Sequence, residues 1–247
     1  MNGAAPEPVA GSLLDGRVRH DQFRAGHRTG LEPVLLAASV PARPGERVLE
    51  GGTGSGAALL CLAARIAGVQ GVGIEQDAAL AALARRNIAE NGFAGLAILT
   101  GDLVMVRPEG MFDHAFANPP WHDAEATPSP DPARMLARRA EPGLFALWAA
   151  SLVRPLRLRG TLSLIVGAGN LPAALASLES AGCGSLELLP LWPKSQTAAK
   201  ILLLRGVKGG QGPCRLHAGL TLHEPDGSFT PAASAILRQG AALSFGR

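Results

Sequence analysis

The sequence contains no tyrosine, and aromatic residues make up only 4% of its 247 residues. It also lacks any apolar run of the roughly 20 residues that a membrane-spanning helix needs. Hydrophobic residues account for 47% and charged residues for 17%, a balance typical of globular rather than disordered chains. These features predict a soluble protein without a membrane partner, and the length suits one α/β domain with additions.

Cysteine is scarce as well. Cys61, Cys183 and Cys214 stand far apart, without the paired spacings of a disulfide framework or a zinc site. This pattern predicts a reducing, cytoplasmic location. The six histidines show no metal-ligand spacing either, so we expect no metal site.

Apolar strands alternate with helices from residue 47 onward. Strands of four to eight mostly apolar residues, separated by helices, are what a parallel sheet covered on both faces requires. The fold class is therefore predicted to be α/β, doubly wound, with a seven-stranded and mostly parallel sheet. The last two strands leave no room for a crossover helix, so the last strand should be antiparallel. The predicted strands are 47–50, 71–75, 96–102, 112–118, 160–166, 185–191 and 198–205, and the predicted helices are 57–67, 78–91, 133–140, 143–156, 171–181 and 231–239.

Three segments are expected along the chain. Residues 1–14 should form a flexible tail, and residues 15–206 the main domain, which opens with a hairpin and a short helix before the sheet. Residues 207–247 should form a C-terminal extension, with a small hairpin and a final helix, that packs on the same domain. The sequence does not predict the oligomeric state.

In a doubly wound sheet, ligands lie beyond the carboxyl ends of the strands. Four polar side chains fall at such ends: Glu50, Glu75, Asp102 and Asn118. We expect them to meet at one edge and to line the binding site.

A glycine-rich loop follows the first of these acids, with the spacing Glu50-x-Gly52-x-Gly54-x-Gly56. Such loops can bind a dinucleotide, whose pyrophosphate lies at the helix N-terminus. A carboxylate directly before the loop would repel a diphosphate but would suit a ligand with an ammonium group, such as S-adenosylmethionine. Glu75 would then accept bonds from ribose hydroxyls, and Asp102 from the adenine amino group.

The fourth strand ends in Asn118-Pro119-Pro120-Trp121. The two prolines remove two consecutive N–H donors, so the strand ladder must stop there. The amide, the freed backbone carbonyls and the indole predict a slot for a flat, nitrogen-bearing ring.

Together with the acid-first glycine loop, this tetrapeptide resembles the class I S-adenosylmethionine-dependent methyltransferases that act on amino groups. Within that group, the stretch 23–38, with Gly26, Thr29 and Gly30, is most similar to the bacterial tRNA adenine-N6 methyltransferases. Most relatives carry Tyr or Phe where this chain has Trp121. The resemblance implies S-adenosylmethionine as the cofactor. It implies the catalytic residues Asn118, Pro119, Pro120 and Trp121, and the cofactor-binding residues Thr29, Gly30, Glu50, Gly52, Thr53, Gly54, Gly56, Glu75, Gln76, Asp102, Leu103 and Asn118.

The tetrapeptide predicts an amino-group acceptor without choosing among candidates. An adenine in tRNA, an amino group in DNA, a protein glutamine amide and a small-molecule amine all fit. Besides these enzymatic functions, a non-catalytic binding protein with the same fold is a further alternative. We favour tRNA because an exposed loop base needs no flipping from a duplex. Two arginine-rich stretches, 17–28 and 134–159, could hold its phosphates.

Overall fold

A computed structural model of the protein describes residues 7–24, 29–120 and 143–246. The chain begins with two small antiparallel strand pairs, β1 with β4 and β2 with β3. Leu14 and Val18 are buried in the core, so residues 8–14, which were expected to belong to a flexible tail, pack on the domain instead. These strands are β1 (Pro8–Val9), β2 (Ser12–Leu13), β3 (Val18–Arg19) and β4 (Gln22–Phe23).

The main sheet confirms the doubly wound α/β fold. The seven expected strands are β5 (Arg47–Gly51), β6 (Gln70–Glu75), β7 (Leu96–Thr100), β8 (Phe112–Ala117), β9 (Leu156–Gly167), β10 (Cys183–Lys194) and β11 (Ile201–Lys208). Together with two strands of the C-terminal extension, β12 (Arg215–Leu216) and β13 (Leu220–His223), they run in the order β12-β10-β11-β9-β8-β5-β6-β7, with β13 also beside β10. The strand β11 is antiparallel to both of its neighbours, as the short connection predicted.

The sheet has nine strands rather than seven. The C-terminal extension contributes β12 (Arg215–Leu216) and β13 (Leu220–His223), and both pair in parallel with β10. The small hairpin expected in the extension is present, because His223 at the end of β13 forms an antiparallel bridge with Phe229. The sequence did not predict that β12 and β13 would join the main sheet.

Helices cover both faces of the sheet. One face carries α1 (Glu32–Ser39), α2 (Ala57–Arg65), α3 (Ala78–Glu90) and, from the extension, α6 (Pro231–Gln239). The other carries α4 (Leu144–Val153) and α5 (Leu171–Ser180). Successive side chains of β8 alternate between the two cores, since Phe116 faces the first while Ala115 and Ala117 face the second. No helix of the described segments is long and apolar enough to cross a membrane.

Most element boundaries agree with the sequence signals. The Asp77 carboxylate caps α3 by accepting the Ala79 and Leu80 N–H groups, and Gly92 follows that helix with a φ of +68°. The helix α4 ends at Val153, earlier than expected, because Pro155 has no N–H to continue it. The strand β9 then starts at Leu156 and runs through Gly160. The predicted helix 133–140 lies outside the described residues.

Candidate active site

The carboxyl ends of three adjacent parallel strands bring the predicted site residues together. Gly51 at the end of β5 pairs with Ile74 of β6 on one side and with Ala117 of β8 on the other. Glu50, Glu75 and Asn118 directly precede or follow these paired residues in the chain, so they lie along one edge of the sheet. This is the edge at which the sequence predicted a binding site.

The glycine loop after β5 has a backbone that side chains would disfavour. Gly52, Gly54 and Gly56 have φ values of +65°, +56° and +93°, in the left-handed region that glycine adopts most readily. A β-carbon on Gly52 would also lie 2.6 Å from the Trp148 ring of α4. The loop therefore runs close to an indole at Gly52, whereas a β-carbon on Gly54 would meet open space.

Glu50 is buried at the start of this loop, with 4% of its surface exposed. The Thr53 hydroxyl donates a hydrogen bond to its carboxylate. Burial raises the pKa of Glu50 to about 8, and the negative charge of Glu75 contributes to that rise. A buried acid with a raised pKa is a site where a positively charged ligand group would be strongly stabilised.

Glu75 is held by the loop itself. Its Oε2 accepts the Gly54 N–H at 2.8 Å, and its Oε1 accepts the Asp77 N–H at 2.9 Å. Gln76, beside it, is exposed. These bonds fix the carboxylate at the carboxyl end of β6, where the sequence predicted a ribose contact.

Asp102 and Leu103 follow β7. Asp102 is exposed, and its Oδ1 accepts the Val104 N–H at 2.8 Å, which shapes the turn after the strand. The Leu103 side chain is instead buried in the core, where it packs against Gly51. The structure thus accounts for Leu103 by packing, and its predicted cofactor contact stays a prediction.

The residues predicted to bind the methyl acceptor begin directly after β8. Asn118 is half-buried and Pro119 is buried, and neither belongs to the strand ladder, which ends at Ala117. Since Ala117 pairs with Gly51, the asparagine stands next to the glycine loop. Trp121 lies outside the described residues.

Thr29 and Gly30 precede α1. The Thr29 N–H donates to the Gln22 side-chain oxygen at 3.1 Å, which ties this stretch to the N-terminal strands. Gly26 lies outside the described residues, and the predicted cofactor contacts of Thr29 and Gly30 stay predictions.

The structure contains a buried polar network around His20 that the sequence does not signal. His20 is 1% exposed, and its Nε2 lies 2.8 Å from the Ser55 hydroxyl of the glycine loop. The Asn87 amide of α3 donates to the carbonyls of both Ser55 and Asp21, each at 2.9 Å. The N-terminal segment therefore supports the glycine loop from behind, through contacts that no local pattern signals.

Described arginines of the two predicted phosphate-binding stretches lie in different parts of the structure. Arg17 donates to the Gln239 carbonyl at the end of α6. Arg157 pairs with Asp113 near the start of β8, at the edge of the sheet opposite Asn118. Arg28, Arg134, Arg138 and Arg139 lie outside the described residues. The described arginines thus do not form one surface next to the acceptor slot.

Cys61 and Cys183 are buried, Cys214 is exposed, and all three are free thiols. In the part of the chain that the structure describes, no group of three or more His, Cys, Asp or Glu side chains could hold a metal ion.

Known proteins share this arrangement. The methyltransferase small domain family matches residues 32–144, which contain the glycine loop and the Asn118 turn. The solved structure of a predicted O-methyltransferase from Agrobacterium tumefaciens superposes with a TM-score of 0.71 at 25% identity, covering 85% of this chain and 97% of that protein. The chain thus has the fold of the class I S-adenosylmethionine-dependent methyltransferases.

Several curated relatives of the chain carry the name tRNA1(Val) (adenine(37)-N6)-methyltransferase. The protein of Bacteroides thetaiotaomicron is 26% identical over 151 residues, which are 60% of this chain and 62% of that protein. A Shewanella protein is 28% identical over 217 residues, 85% of this chain and 90% of its own. The chain thus spans less than two thirds of the length of the first of these relatives.

The residues at the strand ends fit the cofactor of this methyltransferase class, S-adenosylmethionine. Its ammonium group matches the buried Glu50 carboxylate, and its amino-acid part matches a loop whose glycines leave the backbone accessible. The ordered Glu75 carboxylate is an acceptor of the kind that ribose hydroxyls require. When bound, the cofactor supplies an electrophilic methyl group.

Proposed function

We propose that this methyltransferase methylates the exocyclic N6 amino group of an adenine in tRNA. The observation that carries the proposal is the pairing of Ala117 with Gly51, because it sets Asn118-Pro119 beside the glycine loop that receives the cofactor. The names of the curated relatives support adenine in tRNA as the acceptor.

The slot formed by Asn118 and Pro119 is suited to activate the amino group of an aromatic ring. Its nitrogen is a poor nucleophile because the lone pair is delocalised into the ring. If the Asn118 side-chain oxygen and the Pro119 carbonyl each accept one of its N–H bonds, the nitrogen can turn out of the ring plane and present its lone pair to the methyl carbon. The nitrogen would take the methyl group that S-adenosylmethionine supplies, the demethylated cofactor would be the second product, and the surplus proton of the nitrogen would pass to water.

Neither acceptor has to act as a strong base, since the proton becomes acidic only after the methyl group has been transferred. Asn118 and Pro119 instead stabilise the positive charge that develops on the nitrogen. Removing a preorganised contact of this kind typically costs about a hundredfold or more in rate. Trp121 would stack on the base, as an aromatic platform can.

The acceptor is tested by incubating the protein with methyl-labelled cofactor and, in parallel, total tRNA, single-stranded DNA and denatured protein. We expect the label in tRNA, and N6-methyladenosine after digestion to nucleosides. Label in DNA or protein but not in tRNA would contradict the proposal.

The Asn118→Ala variant is the matched control for the same assay. We expect it to lose about a hundredfold or more of the rate, while calorimetry should still detect cofactor binding. A wild type that binds the cofactor but labels none of the acceptors would instead favour a non-catalytic binder.

Phosphate contacts by Arg134, Arg138 and Arg139 belong to the same proposal. Charge reversal at Arg134, Arg138 and Arg139 should weaken tRNA binding and reduce the slope of its salt dependence. The control is Arg157→Gln, because Arg157 pairs with Asp113 at the opposite edge of the sheet. Equal behaviour of the control and the triple variant would contradict a specific role for these arginines.

A further inference from the structure

A polar groove lies at the carboxyl edge of the sheet, away from the glycine loop. It has a volume of about 300 Å³ and is lined by Trp192, Ser195, Gln196, Thr197 and Thr221. The strand β10 is antiparallel to β11, β11 is antiparallel to β9, and β9 is parallel to β8. The strands β10 and β8 therefore run in the same direction, and the groove opens at the same edge of the sheet as Asn118. Three strand spacings, about 14 Å, separate the two sites along the sheet.

The indole of Trp192 forms the wall of the groove and is fixed in place. Its Nε1 donates to the Ala218 carbonyl at 2.9 Å. The extension passes so close that a β-carbon on Gly219 would lie 2.6 Å from that nitrogen. Thr221 is the register partner of Trp192 on β13. The polar edge of the ring is therefore covered by backbone, and the half-buried ring borders the groove.

The opposite wall is the turn between β10 and β11. Gln196 is exposed there with a φ of +59°, a conformation that few residues other than glycine adopt readily. The Thr197 hydroxyl donates to the Lys194 carbonyl at 2.6 Å and holds the turn closed. Strained backbone that persists in an ordered turn is found preferentially at binding sites.

A lysine stands between the groove and the acceptor slot. Lys200 is exposed, and its carbonyl accepts the Ala168 N–H at 2.8 Å, which places it beside the end of β9. The groove lining itself carries hydroxyl, amide and aromatic groups without a charged side chain. Along this edge of the sheet, the ring of Trp192 comes first, the cation of Lys200 second and the proposed acceptor slot at Asn118 third.

We propose that the groove binds a second, unpaired nucleobase of the RNA that donates the target adenine, and that Lys200 contacts the phosphate backbone between the two bases. The inference rests on the proposed function. A volume of about 300 Å³ is at the lower end for small-ligand sites and suits one base. Hydroxyl and amide groups can pair with base edges, and an indole can stack on the base. A phosphate or an acidic peptide would instead require a cationic lining.

The groove is tested by the binding of a fluorescently labelled RNA stem-loop and by the KM for the tRNA acceptor. The Gln196→Gly variant removes the amide and suits the left-handed backbone, so it should fold at least as well as wild type. We expect it to weaken RNA binding several-fold. The matched control is Gln211→Gly, the same change in an exposed loop at the opposite end of β10, which should leave RNA binding unchanged.

Two substitutions of Trp192 distinguish a role in stacking on the base from a role in packing the extension. Trp192→Leu should raise the KM for RNA about tenfold or more, the usual loss when a stacking platform is removed, while the calorimetric affinity for S-adenosylmethionine stays unchanged. Trp192→Phe keeps a stacking face and loses the bond to Ala218, so its KM should stay close to wild type. Equal losses in both variants would mean that only the extension had been loosened, and would overturn the inference.

Lys200→Gln should weaken RNA binding and lower the slope of its salt dependence by about one contact. Arg43→Gln, an exposed cation at the opposite edge before β5, is the control and should change neither quantity. If tRNA is methylated while the groove variants bind it like wild type, the second-base site is wrong and the proposed function stands. If tRNA is not methylated at all, both are wrong.

Discussion

The Nε2 atom of His20 lies 2.8 Å from the hydroxyl of Ser55, so an N-terminal segment supports the glycine loop, which is the proposed cofactor site. His20→Leu would remove one member of this buried pair, and we expect a loss of about 1–3 kcal/mol in the free energy of unfolding. A misplaced loop should also weaken cofactor binding. Denaturant titration and calorimetry measure the two effects. Combining the change with Ser55→Ala should give less than the sum of the single losses, and full additivity would rule out the coupling.

The same histidine gives the protein an acid-sensitive component. Burial lowers the pKa of His20 to about 4, although the charge of Asp21 opposes this shift. The unfolded chain, with an ordinary value of 6.5, binds the proton first as pH falls. Native stability should therefore decline between about pH 6.5 and 4, and His20→Leu should decline less over that interval. Urea midpoints at several pH values would test this, and parallel curves would contradict it.

Glu50 should lower the stability of the ligand-free protein at neutral and higher pH. Its native pKa, raised to about 8, exceeds its ordinary value of 4.5, so the folded state binds the extra proton and stability falls as pH rises between these values. Glu50→Gln should then be more stable than wild type at pH 8 by at least about 1 kcal/mol, or about 2–4 °C in Tm. It should also bind S-adenosylmethionine poorly. A variant with reduced stability at pH 8 would contradict the burial argument.

Cofactor affinity should depend on pH through the same carboxyl group. A bound ammonium group favours the ionised form of Glu50, so binding at neutral pH should release a proton. Affinity should therefore rise with pH up to the pKa of the free protein, about 8, and then level off. Calorimetry in buffers of different ionisation enthalpy counts the released protons. Wild type should release more protons than Glu50→Gln at pH 7, and equal release would exclude Glu50 as their source.

The two glycines of the loop should differ in their tolerance of alanine. Both have a positive φ, but a β-carbon on Gly52 would meet the Trp148 ring, whereas one on Gly54 has open space around it. Gly54→Ala should cost about 1–2 kcal/mol for the backbone alone. Gly52→Ala should cost about 1–3 kcal/mol more, from overpacking. Trp148→Leu should relieve this excess in Gly52→Ala but not the loss in Gly54→Ala, as thermal unfolding would show.

The sequence predicted the sheet, and the position of Glu50, Glu75 and Asn118 at one of its edges, because both rest on short-range signals. Apolar runs mark the strands, and the acid-first spacing from Glu50 to Gly56 marks the loop. Asn118 could be assigned to the same edge because parallel strands end together. The contribution of His20 depends on a contact 35 residues away in the chain, and nothing in its neighbouring residues signals that contact.

The pairing of the two short strands of the extension with β10 escaped prediction for a different reason. They exist because β10 offers an open edge, and their own sequence supports them only weakly. Arg157 likewise belongs to an arginine-rich stretch, but its place on the molecule is set by the start of β9 and by Asp113. Charge clusters in a sequence thus do not reveal which end of a sheet they occupy.

The parallel pairing of β12 and β13 with β10 also affects the tendency of the protein to aggregate. The strand β10 has 12 residues, most of them apolar, and one of its sides would be an unpaired edge without these partners. Long apolar edges of this kind recruit strands from other molecules and start aggregation. The extension therefore protects the sheet from self-association, and a chain shortened to residue 208 should be insoluble even if its cofactor site were intact.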